Sequence, residues 1–373
     1  MMLSTIMKCT PAVCAVKNEY QIMIPVHAPA IMWVKVGDKT FYDESNGILR
    51  SDTDIHRVIV PMSILDETKE YTVCWREVFE RKPYSPILGD EQSQSFAFRP
   101  MEREMIHAYM ISDTHGMYEQ PVAAAEKFFE LYGRIDLLIL NGDILSNSGD
   151  SANFILYYKI IEKITGGEIP VIISRGNHDL RGKCAEKLCD YMPVDHGNSY
   201  YTIRMGNLWA ILLDLGEDKE DGHKEYNGTI CCHAFRERET AFFEKIVTDE
   251  KNEYNAEGVK HRIVISHVPF TRRDMVPDES EVSLFQKWIE LLNDKVTPEF
   301  VLSGHTHWQY IAYPNGKYDD YGMKFPTVVG ALVDRENPYF SGCGIIWSDG
   351  KIRVVFNDGN GVLEETTLGE TKH

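Results

Sequence analysis

The 373-residue sequence contains no apolar run approaching the roughly 18 residues that a membrane-spanning helix needs, so no transmembrane segment is expected. A secretory leader is not expected either: the opening MMLSTIMKCTPAVCAVKNEY has an interrupted apolar stretch and no small-residue cleavage site behind it. There is no basic excess. With 57 acidic against 39 basic residues the net charge is −18, which repels nucleic-acid backbones and anionic membranes at long range. Paired cysteine spacings are absent. Cys9, Cys14, Cys74, Cys184, Cys189, Cys231, Cys232 and Cys343 form no CxxC, so buried thiols in a reducing cytoplasm are expected rather than disulfides or structural zinc. What is plentiful is apolar material. At 43% hydrophobic and 11% aromatic the chain can bury sizeable cores, which excludes disorder as its main state, and its length favours two domains.

Residues 11–98 alternate short β-type runs with turn signals. Candidate strands at 21–26, 31–36, 56–60, 71–77 and 94–98 are separated by GDKT, ESNG, LDETKE and KPYSP. This spacing predicts a small all-β sandwich over residues 1–100. Within it, LDETKEYTVCWRE (65–77) resembles the turn and strand of fibronectin-type III, immunoglobulin-like modules. After Arg99-Pro100 the texture changes to buried strands (IHAYMIS, RIDLLILN, IPVIIS, HRIVIS, EFVLS) alternating with amphipathic helices at 121–132, 152–164, 235–247 and 282–292. That is the pattern of an α/β layered domain, assigned to 101–358, with an antiparallel pair around Met205-Gly206-Asn207. Residues 359–373 are expected to fray as a C-terminal tail.

Each buried strand runs into a polar cluster, and open α/β sheets place their sites outside the carboxyl ends of their strands. The clusters are Ser112-Asp113-Thr114-His115-Gly116, Asn141-Gly142-Asp143, Gly176-Asn177-His178-Asp179, Ser266-His267-Val268-Pro269 and Gly304-His305-Thr306-His307. Apolar strands have no structural need for so many His, Asp and Asn at their ends, because unpaired buried charge is expensive. A metal centre supplies the counter-charge. If these segments are extended, residues i and i+2 share a face, so Asp113 and His115 bind one ion while His305 and His307 each reach a different ion of a close pair. Asp143 is then the candidate bridge. Two ions roughly 3.5 to 4 Å apart clamp the attacking and leaving oxygens of an in-line displacement at phosphorus. Oxygen and nitrogen donors without thiolate suit divalent or transition ions such as Mn, Fe or Zn.

The ordered set Asp-x-His, Gly-Asp, Gly-Asn-His-Asp, a lone His and Gly-His-x-His, running from Asp113 to His307, resembles the calcineurin-like metallophosphoesterases. The resemblance implies a four-layered α/β/β/α domain. It also implies that Asp113, His115, Asp143 and His307 hold the first ion, and Asp143, Asn177, His267 and His305 the second. His178 would face the substrate as general acid, with a metal-bridging hydroxide as nucleophile. Purple acid phosphatases have Gly where His115 stands and Tyr where Ser146 stands, so their iron-tyrosinate chromophore is not expected. Serine/threonine protein phosphatases have an Arg-bearing extension of Gly-Asp that Ile144-Leu145-Ser146-Asn147 does not match. The expected activity is hydrolysis of a small-molecule phosphomonoester or phosphodiester, without nucleic-acid or membrane partners. The alternatives are a non-catalytic binding scaffold with a vestigial metal site and a nuclease of the same superfamily.

Around this set stand residues with two readings each. Asp179 either orients a neighbour or caps a turn. Arg175 either meets phosphate or makes an ion pair. The polar stretch 216–232 is long for a connection and is a candidate cover for the site, bringing His223, Lys224, His233 and Arg236 into consideration. Arg272-Arg273 either reaches a distal substrate group or lies in a solvated loop. Every candidate ligand lies beyond residue 100, so the N-terminal region is expected to be dispensable for chemistry.

Overall fold

A computed structural model describes residues 6–101, 104–275 and 278–369. Two sheets face each other. In the middle of a ten-stranded sheet run the parallel strands Ile106–Ile111, Leu137–Asn141 and Pro170–Ser174, every residue of which is buried. Both faces of these strands are covered, which is why their sequences are continuous apolar runs rather than alternations. The facing six-stranded sheet includes the hairpin Tyr201–Met205 and Leu208–Leu212, followed by the parallel strands His261–Ile265 and Phe300–Ser303.

Successive residues serve different layers. Ala108, Ile139 and Ile172 point between the sheets and meet Ile203, Ala210, Ile263 and Leu302. Tyr109, Leu138 and Val171 point outward against Phe128 and Ile160 of the helices Glu119–Tyr132 and Ile155–Thr165. On the far side Trp209, Val264 and Val301 are covered by Phe243, Phe285 and Trp288 of helices Cys232–Thr248 and Glu279–Leu291. The four-layered α/β/β/α arrangement follows directly from this division. Helix ends match their chemistry: Gly166 takes a left-handed cap, and the Asp278 side chain accepts the Ser280 N–H.

The N-terminal region has two β layers and one short helix, Met62–Thr68, where the sequence pattern predicts a turn. Strands Ala30–Val36, Lys39–Tyr42, Glu70–Glu80 and Gln92–Ala97 form one sheet with the short Ile87–Leu88, and Val34, Val73 and Trp75 pack against Ile22, Val58 and Val60 of the other layer. That other layer, strands Ala12–Val16, Glu19–Pro25 and Ile55–Pro61, is the edge of the ten-stranded sheet itself. Ala12–Val16 lies parallel to Pro170–Ser174, with Val13 opposite Pro170 and Cys14 opposite Val171. Sequence reading placed no strand at 12–16, and hydrogen bonding of the large sheet runs straight through the boundary drawn near residue 100.

The C-terminal tail needs correction. Val362–Thr367 is a strand paired antiparallel with Lys351–Asn357. Its first four residues are exposed, so it carries no apolar signal; what orders it is the open hydrogen-bonding edge of its neighbour. Residues 370–373 lie outside the described residues.

Candidate metal centre

All eight sequence-predicted residues converge at the carboxyl ends of the central strands. Their local geometry differs from expectation. Asp113, His115, Asp143, His305 and His307 are not extended: their φ values are 58, 46, 54, 69 and 59°, in the left-handed region. Alternation along a strand therefore does not bring Asp113 to His115, or His305 to His307. Tight turns do, at a cost on the order of 1–3 kcal/mol per strained residue, and such outliers concentrate at functional sites. The glycines permit the close approach of turns: a Cβ on Gly142 would lie 2.6 Å from His267 Nδ1, and one on Gly176 would land on the Asp143 carboxylate.

Asp143 is the hub. Its Oδ2 lies 3.3 Å from His267 Nε2 and 4.0 Å from both His115 Nε2 and His178 Nε2. On one side Asp113 Oδ1 is 3.6 Å from His307 Nε2, which stands 2.9 Å from His115 Nε2. On the other, the Asn177 side-chain oxygen lies 3.1 Å from both Asp143 Oδ2 and His305 Nδ1. Ligand-type atoms thus group as Asp113, His115, His307 and as Asp143, His267, His305, with a third group of His115, Asp143 and His178 between them.

The donors fit cations better than they fit one another. Two carboxyl-type oxygens 3.1 Å apart repel unless positive charge lies between them, and a metal-free Asn177 would instead turn its amide over to give NH2 to Asp143 and His305. His115 Nδ1 is buried without a partner. Without a metal, protons must carry the compensation. Burial pulls the His267 imidazolium down, yet the facing Asp143 and Asp113 carboxylates hold it up at about 10. His115 goes the other way, pulled down to about 3 by burial despite Asp143. Burial and then neighbouring His267 lower His305 to about 4, against the pull of Asp218 and Asp143. Burial raises Asp113; Asp143 also feels burial, but His267 overcomes it and lowers the carboxyl. Two buried acids beside four histidines, with His115 and His305 pushed towards their neutral form, make a pocket suited to added positive charge.

Several supporting residues carried no sequence motif. Ser146 donates its hydroxyl to the His115 carbonyl at 2.6 Å, and its own carbonyl faces His178 Nδ1 at 2.9 Å. Arg181 is gripped by the buried Glu217 through Nε–Oε1 at 2.7 Å and Nη2–Oε2 at 2.8 Å. Asp218 Oδ2 lies 3.8 Å from His305 Nε2, where it can orient that ring. Glu217 and Asp218 open the long polar stretch flagged in the sequence, so its length was the only available signal.

Most of the undecided residues prove structural. Asp179 is buried and accepts the Gly176 N–H at 2.8 Å and the Tyr157 hydroxyl at 3.0 Å, below the ligands. Arg175 pairs with Asp214 at 2.7 Å. Arg236 is buried, bonded to Glu281 and to the carbonyls of Leu215 and Glu217. His233 joins the same Glu281 at 2.8 Å, while His223 lies against Tyr226. Arg272 is buried between Asp274 and the Tyr310 and Tyr318 rings; Arg273 is exposed and paired with Glu279. Of the cysteines expected to be buried, Cys189 and Cys231 are exposed, while Cys232, next to Cys231, is buried.

This arrangement of ligand turns on a double-sheet core is that of a metal-dependent phosphoesterase. The profile of the calcineurin-like phosphoesterases matches residues 106–309, more than half of the chain, and the protein belongs to that family. Among solved structures it is similar to a purple acid phosphatase from yellow lupin (Lupinus luteus) seeds, at 12% identity and a TM-score of 0.56, covering 97% of this chain and 74% of that one. It is also similar to GAP50, the anchor in the inner membrane complex of Plasmodium, at 14% identity and a TM-score of 0.46, covering 72% and 90% respectively. No curated protein sequence matches the chain significantly. Among the described residues no helix is long and apolar enough to cross a membrane.

Proposed function

We propose that the protein hydrolyses small-molecule phosphate esters with two divalent transition ions, Mn, Fe or Zn. The observation that supports this reading is that Asp143 stands between two donor groups, grouped directly with His267 and His305 on one side and 4.0 Å from His115 of the Asp113, His115, His307 group on the other. Asp113, His115, Asp143 and His307 would hold one ion, and Asp143, Asn177, His267 and His305 the other. Such ions, when bound, offset the charge of a phosphate and lower the pKa of water towards about 7.

The chain's own residues do the rest. The His178 backbone N–H is bonded to Asp143 Oδ1 at 2.8 Å, so the ring is carried by the carboxylate shared between the sites. As an imidazolium, His178 would donate from Nδ1 to the Ser146 carbonyl and carry on Nε2, which Arg181 Nη1 approaches to 3.3 Å, the proton for the departing oxygen. His178 is thereby the proposed general acid, distinct from the ligands although it sits among them. Both ester types, mono and di, suit this geometry. The eight free thiols suit a reducing compartment, and we place the protein in the cytoplasm.

The test compares His178→Asn with wild type on alkyl and nitrophenyl esters, alongside elemental analysis. Proton donation is typically worth about 10²- to 10⁴-fold, and an alkoxide needs it far more than a nitrophenolate does. The variant should keep both metals and slow alkyl esters severely but aryl esters much less. Equal slowing of both, with metals intact, would count against proton donation and for phosphate positioning. Wild-type protein that binds two metals and hydrolyses neither phosphate monoesters nor diesters would sink the hydrolase reading.

A further inference from the structure

Arg181 borders the metal centre without being one of its proposed ligands. It follows the one-turn helix His178–Leu180, and its backbone is pinned at both ends: the N–H donates to the His178 carbonyl at 3.2 Å and the carbonyl accepts the Ser148 N–H at 2.7 Å. The side chain turns back over the site. Nη2 lies 3.0 Å from the Asn177 side-chain amide and Nη1 lies 3.3 Å from His178 Nε2, so the guanidinium touches both a proposed ligand and the proposed acid. The side chain is 27% exposed and is not sealed from solvent.

One edge of the guanidinium is already engaged. Nε and Nη2 donate to the buried Glu217 at 2.7 and 2.8 Å, Nη2 also faces Asp218 at 3.4 Å, and Glu217 is held in turn by the Tyr226 hydroxyl at 2.8 Å. A guanidinium is a planar fork of five N–H donors that keeps its charge, so fixing one edge directs the other. The directed edge is Nη1. Two donors as close as Nη1 and His178 Nε2 suit neighbouring oxygens on one phosphorus, and Arg is the side chain whose fork matches phosphate geometry. With His178 serving the departing oxygen, the non-bridging oxygen beside it falls to Nη1.

We propose that Arg181 is a further catalytic residue, its Nη1 donating to a non-bridging phosphoryl oxygen next to the oxygen that His178 protonates; this rests on the phosphoesterase reading above. A donor fixed in place before the reaction stabilises the charge that this oxygen carries in the transition state. The experiment compares full-length, metal-loaded wild type with Arg181→Lys and Arg181→Gln on matched ethyl and nitrophenyl esters, monoesters and diesters, with elemental analysis and inhibition by inorganic phosphate. Lys still pairs with the buried Glu217 but has no second edge to offer, whereas Gln leaves that carboxylate without its cation. Arg181→Lys should keep both metals and lower kcat/KM by about 10- to 100-fold, as expected for one charge-assisted hydrogen bond. The factor should be similar for ethyl and nitrophenyl esters, because the contact is to the phosphoryl group, and the inhibition constant for phosphate should rise several-fold. Arg181→Gln should show the same pattern with a lower unfolding midpoint. Slowing confined to ethyl esters would mean that Arg181 acts through His178, and kcat/KM within about twofold of wild type would mean that it touches no substrate; either overturns the proposal while the phosphoesterase reading stands. Loss of metal from Arg181→Lys would also overturn it, in favour of a bracing role beside Asn177. Wild type inert towards every ester would overturn the phosphoesterase reading and the proposal with it.

Discussion

Replacing Asp179 tests whether the ligands are held from beneath. Its side chain is fully buried, with Oδ2 accepting the Gly176 N–H at 2.8 Å and the Asp143 N–H at 3.3 Å, while the Tyr157 hydroxyl reaches both carboxyl oxygens at 3.0 Å. Asp179 thus ties the turn that carries Asn177 to the turn that carries Asp143. Asp179→Ala strands three buried donors. A buried donor left unsatisfied costs about 1–3 kcal/mol, but the 3.3 Å bond is weak and a hydroxyl can rotate to another acceptor, so the total should be about 2–5 kcal/mol. Asp179→Asn keeps an acceptor for Gly176 and should cost less than about 2 kcal/mol, because the Tyr157 oxygen can receive its new N–H. Urea unfolding and elemental analysis read the two effects. The Ala variant should lose stability and bind metal poorly, and the Asn variant should approach wild type in both. An Ala variant that retains both metals and unfolds at the wild-type midpoint would refute the argument that these turns depend on Asp179.

Other expectations follow from the same geometry. Asp143→Asn should weaken both metal sites together while His115→Ala mainly empties one, and equal loss in the two variants by elemental analysis would contradict the bridging role of Asp143. A chain starting at Arg99 removes strand Ala12–Val16 from the edge of Pro170–Ser174, so it should aggregate; a monodisperse, metal-loaded fragment would show that edge to be dispensable. Of the eight cysteines only Cys189 and Cys231 are exposed, and burial pushes the thiols of Cys9 and Cys14 up to about 12. A thiol-disulfide reagent near pH 8 should therefore titrate two cysteines quickly and all eight only after unfolding, and six fast thiols would contradict the burial.

The layered architecture was legible because buried strands and amphipathic helices carry different periodicities. The run IHAYMIS is apolar throughout since both faces of its strand are covered, and helix Glu119–Tyr132 shows Val122, Ala125 and Phe128 on one face. The ligands were legible because histidines and acids at the ends of such strands have no packing reason to be there. What sequence reading missed was partly local: Ala12–Val16 forms a hairpin with Glu19–Pro25 and also lies along the distant Pro170–Ser174, while Val362–Thr367 forms a hairpin with Lys351–Asn357 and carries no apolar signal. Arg181 and Glu217 are 36 residues apart and meet only in the fold. Strand alternation grouped Asp113 with His115 for a wrong local reason, since turn conformation, not extended pleat, joins them.

Those turns also separate fold from chemistry. The likeness to the lupin phosphatase spans 97% of this chain, and shared architecture of that kind leaves the chemistry of the site open. The side chains that decide it are local. Where purple acid phosphatases have tyrosine, Ser146 instead donates to the His115 carbonyl and accepts the His178 ring through its own. One small residue therefore braces both the turn of a proposed ligand and the proposed acid, and its side chain is too short to be a phenolate ligand itself. His115 stands where that group has glycine, with Nε2 facing His307 at 2.9 Å. If His115 is a ligand as proposed, a neutral nitrogen donor would stand in for an anionic oxygen donor, and the site would carry one negative charge fewer than a tyrosinate site. A less neutralised cation is a stronger local attractor for a phosphate, which matters in a chain whose net charge is −18. The long-range field opposes an anionic substrate; on the proposed function, cations held by the donor set at the strand ends would reverse that sign over the last few ångströms.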